Sequence, residues 1–353
     1  MKRINNVKSI LALVLCTVLL LTAMLTLSSC KKDKFTYELS EDKTYYTVTG
    51  YTGKDAKIEI PTEYNELPVK AIGREAFKAK TGIESVVIPD GIVTIEFKAF
   101  EGCTKLSSIT IADSVETIDK GAFLDCTALT TVTLPAGITT VDDAVFQNCT
   151  ALKSVSIPKS VISVSSYAFI NCPELNYFNV DVSNHHYAFK NNALIDLENN
   201  ILVVGMRDAT IPANLGIEAI APNAFHSRAI VNIVIPDTVK SIGNLAFYNC
   251  QNLESVEILG AETIGEYAFA NCALLRKIVI SSSVTEIAEN AFASLPKLTN
   301  VFYGGYAFEF IEIDIANGNE DFTKANIYYY TDEEPDGEGK YWHYVNGTVT
   351  IWL

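Results

Sequence analysis

Apolar residues recur along this chain in one order, with a period of 22 or 23 residues. The order is clearest at its phenylalanines. Phe77, Phe100, Phe123, Phe146 and Phe169 lie 23 residues apart, and Phe225, Phe247, Phe269 and Phe292 follow at spacings of 22, 22 and 23. Alanine precedes each of them except Phe146, where Val145 stands instead. One full unit reads Ile88-Pro89, Ile92, Ile95, Ala99-Phe100, Cys103, Leu106, Ile109, Ile111, and the next units keep that register. The unit ends in apolar residues two apart, as at Ile109 and Ile111 or Val132 and Leu134, which is strand alternation. Pro89, Pro135, Pro158, Pro212 and Pro236 end such strands. The pairs three apart (Val115 and Ile118, Val239 and Ile242) predict a short strand or turn on another side of the coil, and the Ala-Phe segment predicts a tight helical or 3₁₀ turn. Units of this length bury an apolar face only by stacking. The expected fold is therefore a repeat solenoid, mainly β with short helical or 3₁₀ turns.

This unit resembles the BspA-like leucine-rich repeat, IPxxVxxIxxxAFxxCxxLxxVxI, over residues 71–303. The resemblance implies a right-handed curved array of about 9–10 coils. Tyr46–Tyr51 and Leu67–Ile72 are similar to the family's entry segment, which makes 35–70 an N-terminal β cap. Asn192–Asp196 and Leu202–Gly205 interrupt the period and resemble a variant unit, assigned to 181–212. The unit before Ile230 is one residue short and lacks the cysteine. Residues 304–353 are assigned to a C-terminal cap. There Ile327–Tyr330 and Tyr341–Val345 are aromatic, and Asn346-Gly347 predicts a type I′ hairpin turn into Thr348–Trp352.

The N-terminus follows a different logic. Lys2, Arg3 and Lys8 precede an uncharged apolar run from Ile10 to Leu27, and Leu27-Ser-Ser-Cys30 follows. That order marks an export signal. It resembles a bacterial lipoprotein signal, which implies a signal peptide at 1–29, lipidation of Cys30, and a short lipid tether at 30–34. An uncleaved anchor is the alternative, since 18 apolar residues just span a bilayer. Either reading puts the rest of the chain outside the cytoplasm at a membrane. Loss of 1–29 removes three of 27 basic residues and none of 42 acidic ones, leaving 24 against 42, a net charge of −18. Such a balance speaks against nucleic acid, which needs clustered basic groups.

Six cysteines (Cys103, Cys126, Cys149, Cys172, Cys250, Cys272) each stand three residues after a repeat phenylalanine. All thus share one interior position, which Leu295 occupies in the last unit. That predicts packing thiols rather than disulfides. Parallel side chains on coils about 4.8 Å apart leave Cβ atoms beyond the roughly 3.8 Å a disulfide prefers. No CxxC completes a zinc set. His185-His186, read as neighbours in a strand, would point to opposite faces. Asp332–Glu338 lacks the ligand alternation of a calcium loop and is read as a solvated turn. No nucleophile, metalloprotease or phosphate-loop motif is present, so no cofactor and no enzyme activity is expected.

Partner binding is expected on the outward residues of the strand sheet. The first half presents Ser108, Thr110, Thr131, Thr133, Ser154 and Ser156. From Tyr177 the surface changes, and the candidate contacts are Tyr177, Asn179, Asn232, Glu257, Lys277, Asn300 and Phe302. Family resemblance implies a surface protein that adheres to proteins of a host matrix or of other cells, or to glycan. The alternative is a structural or glycan-capturing scaffold in the periplasm or wall zone.

Overall fold

A backbone ladder between coils sets the architecture. A computed structural model of the chain describes residues 33–211, 213–335 and 339–352. It is a β-solenoid of about twelve turns. The excess over the expected 9–10 comes from both ends. Lys57–Glu59 already pairs in parallel with Ser85–Ile88, and Asn326–Tyr330 pairs in parallel with Asn300–Tyr303, so entry and closing segments each contribute coils. One wall is built from the four-residue strands, for example Ser154–Ile157 beside Tyr177–Val180. A second is built from two-residue strands such as Thr94–Ile95 and Thr117–Ile118. Between them lies the apolar core, with the repeat Ile, Val, Leu, Phe and Cys side chains buried.

The third wall carries the Ala-Phe turns, expected as tight helical or 3₁₀ turns; it keeps the 3₁₀-type bonds but forms no helix. Hydrogen bonds of the i→i+3 kind do form, as from Cys103 N–H to Phe100 C=O at 3.1 Å. Left-handed residues interrupt them before any helix can propagate. They stand two before and two after the phenylalanine: Lys98 (φ 57°) and Gly102 (φ 70°) around Phe100, Leu245 (φ 59°) and Asn249 (φ 59°) around Phe247. A non-glycine residue there costs about 1–2 kcal/mol. The return is a third inter-coil ladder, because every second N–H now points along the stack. Lys98 donates to Lys120 C=O (3.2 Å), Phe100 to Ala122 C=O (2.8 Å) and Gly102 to Leu124 C=O (2.8 Å). Asparagine tolerates this conformation best among the larger residues. At this site it adds a side-chain rung: Asn171 Nδ2 donates to Asn148 Oδ1 (2.9 Å), and Asn148 Nδ2 to Asp125 Oδ1 (2.7 Å). Among the described residues, helix is confined to Ala213–Leu215, Ala307–Phe310 and Glu320–Thr323.

Coil pitch brings the phenylalanine rings into parallel stacks. Centroids lie 4.9 Å apart at Phe77–Phe100 and 5.7 Å at Phe123–Phe146, with planes within 8° and 6° of parallel. A second stack runs from Phe225 to Phe292 and ends on Phe322, which the period does not single out. Between the stacks, Gly205 takes the place of a phenylalanine. Its N–H donates to Ala224 C=O (2.8 Å) as the repeat phenylalanines do, and a Cβ there would collide with the Phe225 ring. Arg228 fills the cysteine position of that same short unit. It is 3% exposed, and its guanidinium donates to the carbonyls of Cys172 and Leu175 in the coil that precedes the variant unit, while its Nε has no partner.

All six array cysteines are buried and unpaired. Each thiol also has a polar role besides packing: it donates to the phenylalanine carbonyl of the preceding coil, as Cys103 does to Phe77 (3.1 Å) and Cys272 to Phe247 (3.2 Å). Burial pushes the Cys103 thiol up to about 12, so it keeps the proton it donates. Thiol counting in denaturant without reductant should find all six of Cys103, Cys126, Cys149, Cys172, Cys250 and Cys272 free. Cys126→Ala should lower stability by about 1–2 kcal/mol in chemical denaturation, through a small cavity and a lost donor. A count of two or none would show that neighbouring rungs pair.

Candidate functional site

Strand register fixes which outward side chains become neighbours. Residues on parallel strands repeat every coil, about 4.8 Å apart. One row runs Thr131, Ser154, Tyr177 and a second Thr133, Ser156, Asn179. After the variant unit the rows become Asn232, Ser255, Lys277, Asn300, Asn326 and Val234, Glu257, Val279, Phe302, Tyr328. The seven predicted residues therefore stand at two equivalent outward positions of the unit, but on two separate sheets, and they do not form one patch. Tyr177 and Asn179 belong to a three-stranded sheet, and the rest to a seven-stranded sheet that begins at Asn232–Ile235. The meander of Tyr187–Lys190, Ala193–Asp196 and Ile201–Gly205 is inserted between them in the chain and pairs with the other wall.

Tyr177 is 49% exposed and rests edge-on against Phe189 at 5.3 Å. Asn179 reaches only Ser156 Oγ, at 3.5 Å, and leaves most of its amide free. Asn232 Oδ1 accepts from Ser255 Oγ at 2.6 Å. Glu257 and Lys277 form a half-buried pair at 3.3 Å, diagonal across two strands. Asn300 accepts a long bond from Asn326 (3.5 Å).

Phe302 needs correction. Alternation correctly places it on the outward row, yet it is only 4% exposed. Tyr328 stacks on it at 5.1 Å and Trp342 meets it edge-on at 5.8 Å. The covering element is the terminal hairpin. Asn346 (φ 49°) and Gly347 (φ 75°) make its two-residue turn, in the left-handed geometry the sequence predicts. Its first strand, Tyr341–Val345, pairs with Asn326–Tyr330 only through Tyr341 and Trp342. Trp342, 1% exposed, joins Val279 and Phe302 in a small separate core and donates from Nε1 to Tyr303 C=O at 2.8 Å. Phe302 thus serves as a seat for the hairpin and is not a contact residue. Sequence reasoning also passes over Val234, which is 51% exposed at the same place in its unit as Asn179, because alternation alone gives no reason to rank it.

Little else gathers as a chemical site. Among the described residues no group of three or more His, Cys, Asp or Glu is placed to hold a metal ion. His186 Nδ1 lies 3.1 Å from Glu198 Oε2, a contact the sequence does not suggest. No helix among the described residues is long and apolar enough to cross a membrane. The export segment 1–29 and Cys30 lie outside the described residues.

The fold and rows define a leucine-rich-repeat protein. A family profile described as BspA type leucine rich repeat region matches residues 70–196 and 218–332 in six copies, and the chain belongs to that family. Among solved structures, it is similar to a leucine rich cell surface protein from Faecalibacterium prausnitzii, at 25% identity over 82% of this chain and 98% of that one, with a TM-score of 0.57. A leucine-rich repeat protein from Eubacterium ventriosum is 20% identical over 76% of this chain and 82% of its own, with a TM-score of 0.58. The pneumococcal vaccine antigen PcpA is 18% identical over 85% and 93%, with a TM-score of 0.57. These last two share the fold. No curated protein matches the chain.

His226, in the short unit after the variant segment, supplies a pH handle. Burial lowers its affinity for a proton below the ordinary histidine value. A folded-state value below the unfolded one means that protonation favours unfolding. The stabilisation is present above the unfolded value near 6.5 and is lost as pH falls through the folded value. Thermal midpoints recorded from pH 7.5 down to 5 should fall further for the native protein than for His226→Gln. Parallel curves for the two would remove His226 as the cause.

Proposed function

We propose that this chain is a lipid-anchored, extracytoplasmic binding module that adheres to a protein partner through the outward strand rows on either side of the inserted meander. The observation that carries this reading is the change of surface at Tyr177. From Ser108 to Ser156 the rows are Ser and Thr; from Tyr177 onward they offer a half-exposed aromatic ring, amides and a charged pair on a rigid frame. Side chains held in register by the backbone lose little entropy on binding. Exposed tyrosine is typical of contact surfaces. Belonging to the BspA type family supports the class of function, and the cell-surface description of the F. prausnitzii protein supports the compartment.

A second reading, a membrane-proximal scaffold or glycan-capturing module beneath the wall, draws on the tether. Lys34 is already tied into the first coil by an ion pair to Asp55 (2.6 Å), and its carbonyl accepts from Thr52 N–H (2.7 Å). Four residues at about 3.5 Å each reach about 14 Å from Cys30. An anchor at Cys30 would therefore keep the array close to its membrane, and the envelope type of the cell decides between the readings.

Two outcomes are expected. With a partner captured by crosslinking on intact cells, Tyr177→Ala should weaken binding about thirtyfold, while Thr110→Ala and Thr133→Ala should change it less than about threefold at equal folded fraction. Equal losses from both halves would move the contact to the whole ladder. Cys30→Ala should shift the protein out of the lipid fraction or leave it unprocessed. An unmodified Cys30 in the mature protein, seen by mass spectrometry, would end the lipoprotein assignment.

A further inference from the structure

Two adjoining cavities lie where the terminal hairpin folds onto the last coils. The first, about 210 Å³, is lined by Leu259, Val279, Gly304, Tyr330, Trp342 and Tyr344. Three aromatic rings turn toward one another there. Tyr330 and Tyr344 each lie 5.0 Å from Trp342 at steep angles, and 6.4 Å from each other. Such inclined rings leave a corner that none of them fills. The rest of the lining is Leu259, Val279, Ile280, Gly304 and one polar side chain, Ser281, and Trp342 itself is buried. A small, largely apolar corner of this kind suits a bulky apolar side chain.

The second cavity, about 430 Å³, shares Tyr330 and Gly304 with the first and is lined by Glu309, Asp332 and Glu333 with no lysine or arginine. Glu309 accepts one bond, from Tyr306 N–H at 2.7 Å, and Asp332 accepts the Tyr330 hydroxyl. Both keep further lone pairs for a cation. Asp332 and Glu333, expected as part of a solvated turn, thus face a groove. Exposed apolar side chains at its margin, Tyr306 and Phe308, extend the surface a partner would cover.

We propose that the paired cavities form one docking site for a peptide segment of a partner protein that presents a large apolar side chain beside a lysine or arginine. The apolar residue fills the aromatic corner, and the cation sits among Glu309, Asp332 and Glu333. Charge complementarity selects this occupant: an acidic peptide, or an anionic lipid surface, meets three carboxylates on a chain that is already strongly acidic. The site rests on the binding-module reading, but on side chains other than Tyr177 and the free amides.

The chain has two tryptophans, so Trp352→Phe leaves Trp342, at the cavity wall, as the sole tryptophan, read by excitation selective for indole. In the purified protein carrying that change, titration with the peptide acetyl-Gly-Lys-Leu-Lys-Gly-amide should give a saturable change in Trp342 emission. The dissociation constant should rise at least about fivefold in Tyr344→Ala and in the pair Asp332→Asn with Glu333→Gln. Replacing the peptide lysines by Glu, or its Leu by Gly, should weaken it at least about tenfold. Tyr177→Ala should leave the titration unchanged. Flat emission, equal binding of the acidic peptide, or no effect of the carboxylate pair would overturn the proposal. A normal titration alongside an unaffected Tyr177→Ala pull-down would instead overturn the strand-row contact and leave this site standing.

Discussion

The interaction on which the rest depends is the hydrogen bond between backbones of successive coils. It is made on three walls, and on the Ala-Phe wall it requires residues in a left-handed conformation. Each coil accepts that local cost because it fixes the pitch. Pitch then decides everything else: phenylalanine rings arrive at stacking distance, thiols reach the carbonyl of the preceding coil, and outward side chains fall into rows. No rung is stable alone, so the core is a sum of neighbour contacts.

Much of the fold is legible because the period exposes inside and outside at once. Ala-Phe places the stack, the shared cysteine position gives buried thiols, and Asn346-Gly347 gives the hairpin turn. What fails has a common cause. Alternation tells which way a side chain points, but not what later covers it, and so it makes Phe302 a surface residue. The hairpin that covers it is recognisable as a cap, yet nothing in its sequence says which face it lies on. Phe322 continues the ring stack from a short helix, Glu320–Thr323, that lacks the repeat's alanine. Spacing in the Ala-Phe turns is compatible with either a helical or a 3₁₀ turn, and only the 3₁₀-type bonds form. The left-handed positions that defeat a helix hold Glu75, Leu245 and Tyr267 as well as Asn and Gly, and residue type alone does not mark them.

Arg228 is visible in the sequence only as a missing cysteine. In the structure it is a buried guanidinium with no carboxylate beside it, holding two carbonyls of a coil more than fifty residues earlier in sequence. A charge in that place is costly unless hydrogen-bonded. It secures the join where the regular stack is interrupted, and Gly205 gives Phe225 room at the same join. The candidate contacts lie on both sides of it, so their relative placement depends on these two residues.

The interruption also bears on how the molecule would take a mechanical load. Under the lipid-anchored reading, a pull between Cys30 and a partner held near the terminal hairpin would draw coils apart rung by rung instead of sliding strands past one another. Two continuous ring stacks meet at a glycine, with a single buried arginine and a short meander bridging them. Under tension that seam, where neither ring stack continues, is where the two stacks can part. Its yielding would lengthen the tether while both stacks stay folded, turning a defect in the repeat into a graded extension.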